Sequence, residues 1–212
     1  MIDTAVCVWK DDSTDFSREY VNRLMNSLSH YSINRICLTD VDAKFDNCQT
    51  EKLQHRYQGW WSKIELFDHP ALESRNVLYL DLDTIVKDDI THLLEYDHQF
   101  TMLRDFMKDR RASGVMCYKF DDYKHIAENF STNLYDRYKT ADRWGDQGYI
   151  SEQVTTKVDF FQDLFPNLIT SYKMHKVDRV IESSIVCFHG KPRPHEVNWN
   201  PLCKHRLQRH AL

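Results

Sequence analysis

Two short apolar runs with one amphipathic stretch between them open this chain, and this alternation constrains the fold most strongly. The run "TAVCVW" (4–9) has the length and continuous apolarity of a buried strand. The stretch after it places Val21, Leu24 and Leu28 on one helical face, and "INRICLTD" (33–40) predicts a second strand. Strand, helix and strand in this order predict a largely parallel sheet with helices on both faces.

Later segments continue this pattern. The stretch at 59–67 places Trp60, Ile64 and Phe67 on one helical stripe, and a further helix is predicted at 122–138. Further strands are predicted at 76–83, 100–105, 113–120, 157–161, 167–172 and 183–190. The sequence therefore predicts one α/β domain with a mixed, mostly parallel sheet flanked by helices.

Composition and charge exclude several classes of protein. The 212 residues suit one domain, and a formal charge of −4 provides no overall attraction to nucleic acid or to an anionic membrane. No apolar stretch approaches the ~20 residues of a membrane span, and the N-terminus lacks the pattern of a signal peptide. Six cysteines without a CxxC pair indicate buried free thiols in a reducing compartment. These features predict a cytoplasmic protein without a transmembrane segment.

Polar residues follow several of the apolar runs at the point where each run ends. In a mostly parallel sheet, ligands bind in the crevice beyond the carboxyl ends of the strands. The residues expected to gather along that edge are Asp40, Asp81, Asp83, Asp105 and His189. The sequence therefore predicts a ligand site at this edge of the sheet.

The stretch "NVLYLDLDTIV" (76–86) carries the sharpest of these signals, a pair of acids at the end of a buried strand. In extended chain Asp81 and Asp83 point to the same side, about 7 Å apart. Two ionised carboxylates placed that close require a proton or a cation between them. Hard carboxylate oxygens suit Mg²⁺ or Mn²⁺, with phosphate oxygens in the remaining positions. The alternative is that the acids only mark where the strand leaves the core.

The segment "IVCFHGKPRPHE" (185–196) ends another apolar run with a histidine. An imidazole from His189 would be a good third ligand for Mn²⁺ and a less natural one for Mg²⁺. Gly190 allows close approach to a phosphate, and Lys191 supplies a positive charge for a diphosphate. Alternatively, His189 is only a satisfied histidine at the end of a strand.

Five motifs in this order carry a family resemblance, and they are "GWWSKIELF", "NVLYLDLDTIV", "ASGVMCY", "GDQGYI" and "IVCFHGKP". Together they resemble the metal-dependent nucleotide-sugar glycosyltransferases of the GT-A fold, in particular the glycogenin-like and bacterial galactosyltransferase-like retaining enzymes. The resemblance runs from the first strand to about residue 195 and implies a Rossmann-like domain over 1–212. Residues 1–110 would form the nucleotide-sugar half, and 111–212 would bind the acceptor and complete the metal site.

The resemblance implies an activity as well as a fold. A sugar would pass from a UDP-sugar to an acceptor hydroxyl on a saccharide, with Mn²⁺, or else Mg²⁺, as the cofactor and with retention of configuration. The residues implied to contact the nucleotide-sugar are Val8, Trp9, Lys10, Thr39, Asp40, Lys63, Asp81, Leu82, Asp83, Gly190 and Lys191. The implied metal ligands are Asp81, Asp83 and His189.

Three further residues are implied to act on the transferred sugar. Asp105 would hydrogen-bond its hydroxyls, while Asp146 and Gln147 would lie beside the reacting carbon. Several of the implied residues have a structural alternative. Asp105 would belong to a salt-bridged loop, and Asp146 would be a helix cap. Lys63 would be a solvated residue on a helix, and Trp9 would pack in the core.

Two departures from the family pattern bear on these assignments. Ala112 stands where the family usually carries an asparagine that contacts the sugar. The late motif "HGKPRP" is shorter between its histidine and lysine than in the family, which affects the assignment of Lys191.

The acceptor is less constrained than the donor. Basic clusters at 108–111, 191–195 and 204–210, the last near Trp199, indicate either solvated surface or an anionic acceptor, saccharide or nucleic acid. A viral-type glycosyltransferase that modifies a DNA base with a nucleotide-sugar is therefore one alternative. A sugar nucleotidyltransferase is another, although "VWKDDSTDF" lacks the glycine-rich loop such enzymes need. The third is a non-catalytic nucleotide-sugar-binding module.

Overall fold

The computed structural model describes residues 1–197 of the chain. Trp199 and the basic cluster at 204–210 lie outside the described residues. The ten strands are β1 (Thr4–Trp9), β2 (Asn34–Thr39), β3 (Gln49–Lys52), β4 (Asn76–Leu80), β5 (Thr84–Val86), β6 (Phe100–Arg104), β7 (Arg111–Lys119), β8 (Asp159–Phe160), β9 (Ile169–Ser171) and β10 (Ile185–Cys187).

Short helices connect these strands. The α-helices are α1 (Arg18–Ser27), α2 (Thr91–Glu95), α3 (His125–Glu128), α4 (Tyr135–Tyr138), α5 (Asp146–Gln153), α6 (Phe161–Leu164) and α7 (Val177–Glu182). The 3-10 helices are Gly59–Phe67, Pro70–Leu72, Phe120–Asp122, Thr132–Leu134 and Pro194–Glu196.

Seven strands form the main sheet in the order β3-β2-β1-β4-β7-β6-β8. Strands β3, β2, β1 and β4 run parallel, β7 is antiparallel to both of its neighbours, and β8 is parallel to β6. The predicted fold class, a mixed and mostly parallel sheet flanked by helices, is confirmed. This topology places the exits of β1, β2 and β4 along one edge of the sheet.

A second, three-stranded sheet has the order β5-β10-β9. Strand β5 begins directly after Asp83, and β10 ends two residues before His189. The two strands pair antiparallel, with Thr84 opposite Cys187, and the Phe188 amide donates to the Asp83 carbonyl at 3.1 Å. This small sheet therefore joins the acidic pair to the late histidine segment, about a hundred residues further along the chain.

Strand β4 is buried on both faces, which explains its continuous apolar run. Leu78 and Leu80 pack in the cluster that includes α1, whereas Val77 and Tyr79 pack on the other face. Burying large apolar side chains on both sides contributes about 1.5–3 kcal/mol per side chain. Asp81 consequently follows a strand that is packed on both faces in the interior of the sheet.

The segment 59–67 differs from its prediction, because it forms a 3-10 helix and not an α-helix. Every residue from Trp61 to Phe67 is buried, so no single stripe of this helix faces the core. Trp60, which an α-helical stripe would bury, is 61% exposed. The buried part of the segment therefore begins one residue after Trp60.

The segment 122–138 is also broken rather than one continuous helix. It contains α3, the 3-10 helix Thr132–Leu134 and α4. Ser131, in an extended conformation, lies between α3 and the 3-10 helix. Phe130 and Tyr135 both stack near the Trp61 ring, so packing on one large side chain determines the path here.

Candidate active site

A cavity of about 910 Å³ opens at the carboxyl edge of β1 and β4. The residues implied by the resemblance that line it are Val8, Trp9, Lys10, Lys63, Asp81, Leu82, Asp83, Asp105, Asp146, Gln147, His189 and Gly190. Those outside its lining are Thr39, Asp40 and Lys191. The tertiary structure thus gathers residues that are as many as 182 positions apart into one site.

Asp81 follows β4 directly and accepts hydrogen bonds from within the site. Its carboxylate accepts from the Tyr79 hydroxyl, and its Oδ1 lies 3.1 Å from Lys63 Nζ. Gly114 on the neighbouring β7 gives this carboxylate room, since a Cβ there would lie only 3.2 Å from Asp81 Oδ2. The side chain is about a third exposed and faces the cavity.

Asp83, in contrast, is almost fully buried. Burial and the negative charge of Asp81 raise the pKa of Asp83 to about 6, while Arg193 and the Gly190 backbone N–H oppose the shift. Its Oδ2 accepts from Arg193 Nη1 at 2.6 Å. Two carboxylates this close in a partly dry site create a strong local demand for positive charge.

Lys63 forms the centre of a second charged cluster. Its Nζ lies 3.0 Å from Asp146 Oδ2, 3.1 Å from Asp81 Oδ1 and 3.2 Å from Ser113 Oγ. Burial disfavours the ammonium, but Asp146 and Asp81 outweigh this effect and raise the pKa of Lys63 above its ordinary value. The alternative of a solvated Lys63 on a helix surface is therefore wrong, since the side chain is only 9% exposed.

Asp146 occupies the first position of α5, after Gly145 with a φ of +64°. Ser113 on β7 donates to Asp146 Oδ2 at 3.0 Å, and its amide donates to Gln147 Oε1 at 3.4 Å. Strand β7 and α5 are therefore joined side by side, and Asp146 and Gln147 face the cavity beside Lys63.

His189 has a positive φ of 26° and stacks on Phe106, with ring centroids 5.5 Å apart. Its Nε2 lies 2.6 Å from Ser171 Oγ, which already accepts from the amides of Lys173 and Met174. The Ser171 hydroxyl hydrogen is then the one that points at Nε2. Burial and the charge of Lys173 lower the pKa of His189 to about 4, so the imidazole is neutral at physiological pH.

Asp105 holds the turn between β6 and β7. It accepts from the amides of Met107 and Lys108 at 2.8 and 3.3 Å and from Arg110 Nε at 2.8 Å. Burial raises the pKa of this carboxyl, but these hydrogen bonds and Arg110 lower it overall. Asp105 thus combines the structural role with a place in the cavity lining.

Arg193 is a site residue that the sequence reasoning missed. Its guanidinium connects Asp83 to Asp15, with Nη2 2.7 Å from Asp15 Oδ2, and lies 4.5 Å above the Phe16 ring. Lys191, the expected cation, is 78% exposed and lies 3.8 Å from Glu196. The motif "HGKPRP" contained both cations, and no local pattern indicates which of the two turns inward.

The expected nucleoside end of the cavity lies at the exit of β1. Trp9 is buried and donates from Nε1 to the Phe16 carbonyl at 2.9 Å, so it also packs in the core. Lys10 Nζ donates to the Tyr57 carbonyl at 3.0 Å. Asp40 accepts from the Asp11 amide at 3.0 Å and supports the same loop from outside the cavity.

Among residues 1–197, no three His, Cys, Asp or Glu side chains already form a metal cluster. The nearest positive charges to the acidic pair are Lys63 and Arg193. The chemistry of the donor set nevertheless fits a hard divalent cation, because two carboxylates face one cavity and Asp83 has an elevated pKa. A contribution from His189 would require its Nε2 to leave Ser171.

Several glycosyltransferases are among the solved structures with a similar fold. The galactosyltransferase LgtC, in complex with donor and acceptor sugar analogues, matches with a TM-score of 0.67 and 14% identity, over 95% of this chain and 94% of LgtC. GlyE of Streptococcus pneumoniae TIGR4 matches with a TM-score of 0.64 and 13% identity, over 98% of this chain. This chain spans 64% of the length of GlyE.

A glycosyltransferase involved in glycosylation of the major capsid of PBCV-1 matches with a TM-score of 0.60 and 10% identity, over 97% of this chain and 98% of that one. These likenesses, with the strand order above, establish the GT-A fold of glycosyltransferases and confirm the resemblance seen in the five motifs. No family model matches the chain, and no curated protein sequence matches it. Within residues 1–197, no helix has the length and apolarity to cross a membrane.

Proposed function

We propose that this protein is a glycosyltransferase that moves a sugar from a UDP-sugar to a saccharide hydroxyl, with Mn²⁺, or else Mg²⁺, as its cofactor. The observation that carries the proposal is the charged cluster of Lys63, Asp81 and Asp146 beside Asp83, at the ligand edge of a GT-A sheet. Sugar transfer from a nucleotide needs a charged diphosphate end and a polar sugar end in one cavity, and this site offers both.

The donor would lie along the edge of the sheet. Val8 to Lys10 border the nucleoside end, with Thr39 and Asp40 behind that loop. Asp81, Leu82 and Asp83 border the diphosphate, and Gly190 lines the cavity there. Asp105, Asp146 and Gln147 line the wall beyond them, where the transferred sugar would be held through its hydroxyls.

Asp81 and Asp83 are the residues that would hold the divalent cation, with His189 as a third ligand once it is released from Ser171. When bound, the cation supplies positive charge to the diphosphate as its bond to the sugar breaks. Mg²⁺ and Mn²⁺ sites built from one or two carboxylates are commonly completed by phosphate oxygens, which fits this pair.

Arg193 would supply the remaining positive charge for the leaving diphosphate. The Arg193 guanidinium already contacts the Asp83 carboxylate, whereas the Lys191 ammonium is solvated. A planar guanidinium also matches phosphate oxygens in two places at once. Lys191 stays in the proposal as a secondary contact that would have to turn inward.

Lys63, Asp146 and Gln147 would act at the reacting carbon. The Asp146 carboxylate, fixed by Lys63 and Ser113, is positioned to stabilise the positive charge that develops on the sugar ring. Lys63 and Ser113 hold this carboxylate in place, so we assign it the role of a fixed charge beside the reacting carbon. A front-face attack by the acceptor hydroxyl, with retention, is compatible with these roles.

The test is donor binding and turnover with and without the cation. We expect Mn²⁺ to raise the melting temperature of the protein in the presence of a UDP-sugar, because a ligand that binds only the folded state stabilises it. Asp83→Asn should remove both this shift and the release of UDP. The matched control is Asp136→Asn, an acid that is 97% exposed and far from the cavity lining.

The outcomes separate the rival functions. A thermal shift without UDP release under any acceptor would indicate a non-catalytic nucleotide-sugar-binding module. Release of pyrophosphate from a nucleoside triphosphate and a sugar phosphate would indicate a nucleotidyltransferase. An unchanged shift in Asp83→Asn would reject the assignment of the acidic pair.

A further inference from the structure

Three large apolar side chains are exposed around the same cavity. They are Trp60, Met107 and Trp144, with exposed fractions of 61%, 57% and 45%. Scattered exposed apolar residues need no explanation, but a group that lines a ligand cavity does. Two of the three are indoles, the side chains with the largest flat apolar face.

Both indoles are next to Gly145, Trp60 through space and Trp144 as the preceding residue. A Cβ at Gly145 would lie only 2.5 Å from Trp60 Nε1, so the absence of a side chain allows the Trp60 ring to rest against the backbone next to Trp144. Gly145 also has a φ of +64°, which a residue with a side chain would adopt only under strain. The glycine therefore serves the placement of Trp60.

Trp144 is held as a fixed platform. The Arg110 guanidinium lies 3.8 Å from the centre of its ring, and Lys108 lies 5.6 Å away. Its Nε1 donates to the Ala141 carbonyl. Neither Arg110 nor Lys108 lines the cavity, so these cations support the indole from behind. A side chain fixed this way loses little entropy when a ligand binds.

The aromatic wall formed by Trp60 and Trp144 borders the reacting end of the site. Trp60 and Lys63 are three residues apart in the same 3-10 helix, and both line the cavity. Trp144 precedes Asp146 by two residues. The cation-binding end, at Asp83, is formed by other segments.

The charges of the cavity indicate which ring would stack there. Acids outnumber Lys and Arg in its lining, since the acids are Asp12, Asp15, Asp81, Asp83, Asp105 and Asp146 and the cations are Lys10, Lys63, Lys173 and Arg193. This balance disfavours a polyanion such as nucleic acid, whose affinity comes mainly from phosphate contacts. A pyranose presents one face of C–H groups to an indole and keeps its hydroxyls for polar neighbours.

We propose that Trp60 and Trp144 form the acceptor subsite and that the acceptor is an uncharged saccharide whose terminal pyranose stacks on these indoles. This inference rests on the proposed glycosyltransferase function and specifies its acceptor. It places the acceptor hydroxyl next to Lys63 and Asp146, where the donor sugar would be attacked.

The experiment compares transfer with the acceptor-independent hydrolysis of the same UDP-sugar, using a panel of uncharged methyl disaccharides as acceptors. In Trp144→Ala and Trp60→Ala, we expect transfer to fall at least tenfold more than hydrolysis, mainly through a higher acceptor KM. Trp144→Phe should recover most of the loss, because a flat ring is restored. Tyr96→Ala, which removes an exposed ring outside the cavity lining, is the matched control.

Saccharide binding measured by saturation-transfer NMR, without donor, keeps the two proposals separate. Binding of a disaccharide that Trp144→Ala abolishes would support the subsite even in a protein that turns over no UDP-sugar. Equal loss of transfer and hydrolysis would overturn the subsite, because the wall would then hold the donor. Trp144-dependent binding of a single-stranded oligonucleotide, with a steep salt dependence and no saccharide binding, would overturn it in favour of nucleic acid.

Discussion

At the scale of single residues, the site depends on how buried charges are paired. Lys63 neutralises Asp81 and Asp146 at once, and Arg193 does the same for Asp83 and Asp15. Two cations thus hold together four acids from separate parts of the chain. Removing one member leaves an uncompensated charge in a poorly solvated place, which costs more than the pair itself contributes.

Lys63→Met tests the first of these pairings. Because Asp146 would be left buried and unpaired, we expect the free energy of unfolding to fall by about 3 kcal/mol, in the range found for broken buried pairs. Adding Asp146→Leu should recover part of the loss in urea unfolding, since no charge then remains to be paired. A double variant as unstable as the sum of the single ones would show that the two residues do not interact.

Arg193→Met and Lys191→Met decide between the two cations of the late motif. Arg193 lies at the acidic pair, so we expect its loss to reduce turnover of the UDP-sugar by about 10²–10³-fold, the usual cost of removing one charged contact to a leaving group. Lys191→Met, in contrast, should remain within a few-fold of the wild type. Steady-state kinetics at saturating Mn²⁺ measures the turnover of both variants. A larger loss in Lys191→Met than in Arg193→Met would assign the diphosphate contact to Lys191.

At the scale of elements, the 3-10 helix at 59–67 shows why a stripe read from the sequence can be displaced. The residue pattern is compatible with both an α-helical and a 3-10 spacing, and only packing against β4 and β7 selects between them. Lys63 is consequently turned inward and Trp60 outward. The broken segment 122–138 has a similar cause, because α3 and α4 both pack on Trp61.

Trp61→Ala and Trp60→Ala test this spacing through stability. Trp61 is fully buried among aromatic rings, so its loss should cost about 3–5 kcal/mol through lost burial and the cavity left behind. Trp60 is exposed, and its loss should change the free energy of unfolding by about 0.5 kcal/mol or less. Urea denaturation gives both values. A loss of stability for Trp60→Ala well above about 0.5 kcal/mol would indicate that Trp60 is buried, as the α-helical stripe requires.

At the scale of the whole molecule, the small sheet β5-β10-β9 completes the cavity, because it returns the late segment to the exit of β4. The cohesion of the main sheet also depends on buried polar links. His98, between α2 and β6, contacts Thr101 Oγ1 at 2.7 Å and the Leu93 carbonyl at 2.9 Å. Burial lowers the pKa of His98 below its ordinary value.

The stability of the protein should therefore depend on pH through His98. Since its pKa is lower in the folded state, the unfolded chain takes up the proton first as the pH falls. The contribution of His98 to the free energy of unfolding is complete above a pH of about 6.5, which is the pKa of histidine in the unfolded chain. It is lost progressively as the pH falls below that value. Urea unfolding of the wild type and of His98→Gln at pH 7.5 and about 5.5 should show a smaller loss in the variant. An equal loss in both proteins would assign the pH dependence to other groups.

The sequence by itself determined the features that depend on near neighbours. Strand β4, its continuous burial and the two acids at its exit follow from eleven consecutive residues, and the ordered motifs were enough to indicate the GT-A fold. Asp105, Asp146 and Gln147 were implied by the resemblance of these motifs, and all three line the cavity.

Only the tertiary structure decided which charges meet. Lys63 with Asp146, Ser113 with Gln147, and Arg193 with Asp83 are 34 to 110 positions apart. No local spacing encodes such pairs, because sheet order, the exit angle of β10 and the burial of one side chain over its neighbour select them. The two indoles beside Gly145 have the same origin: the sequence places Trp60 on a helical stripe and gives no role to Trp144, and only the fold brings both to one cavity, 84 positions apart in the chain.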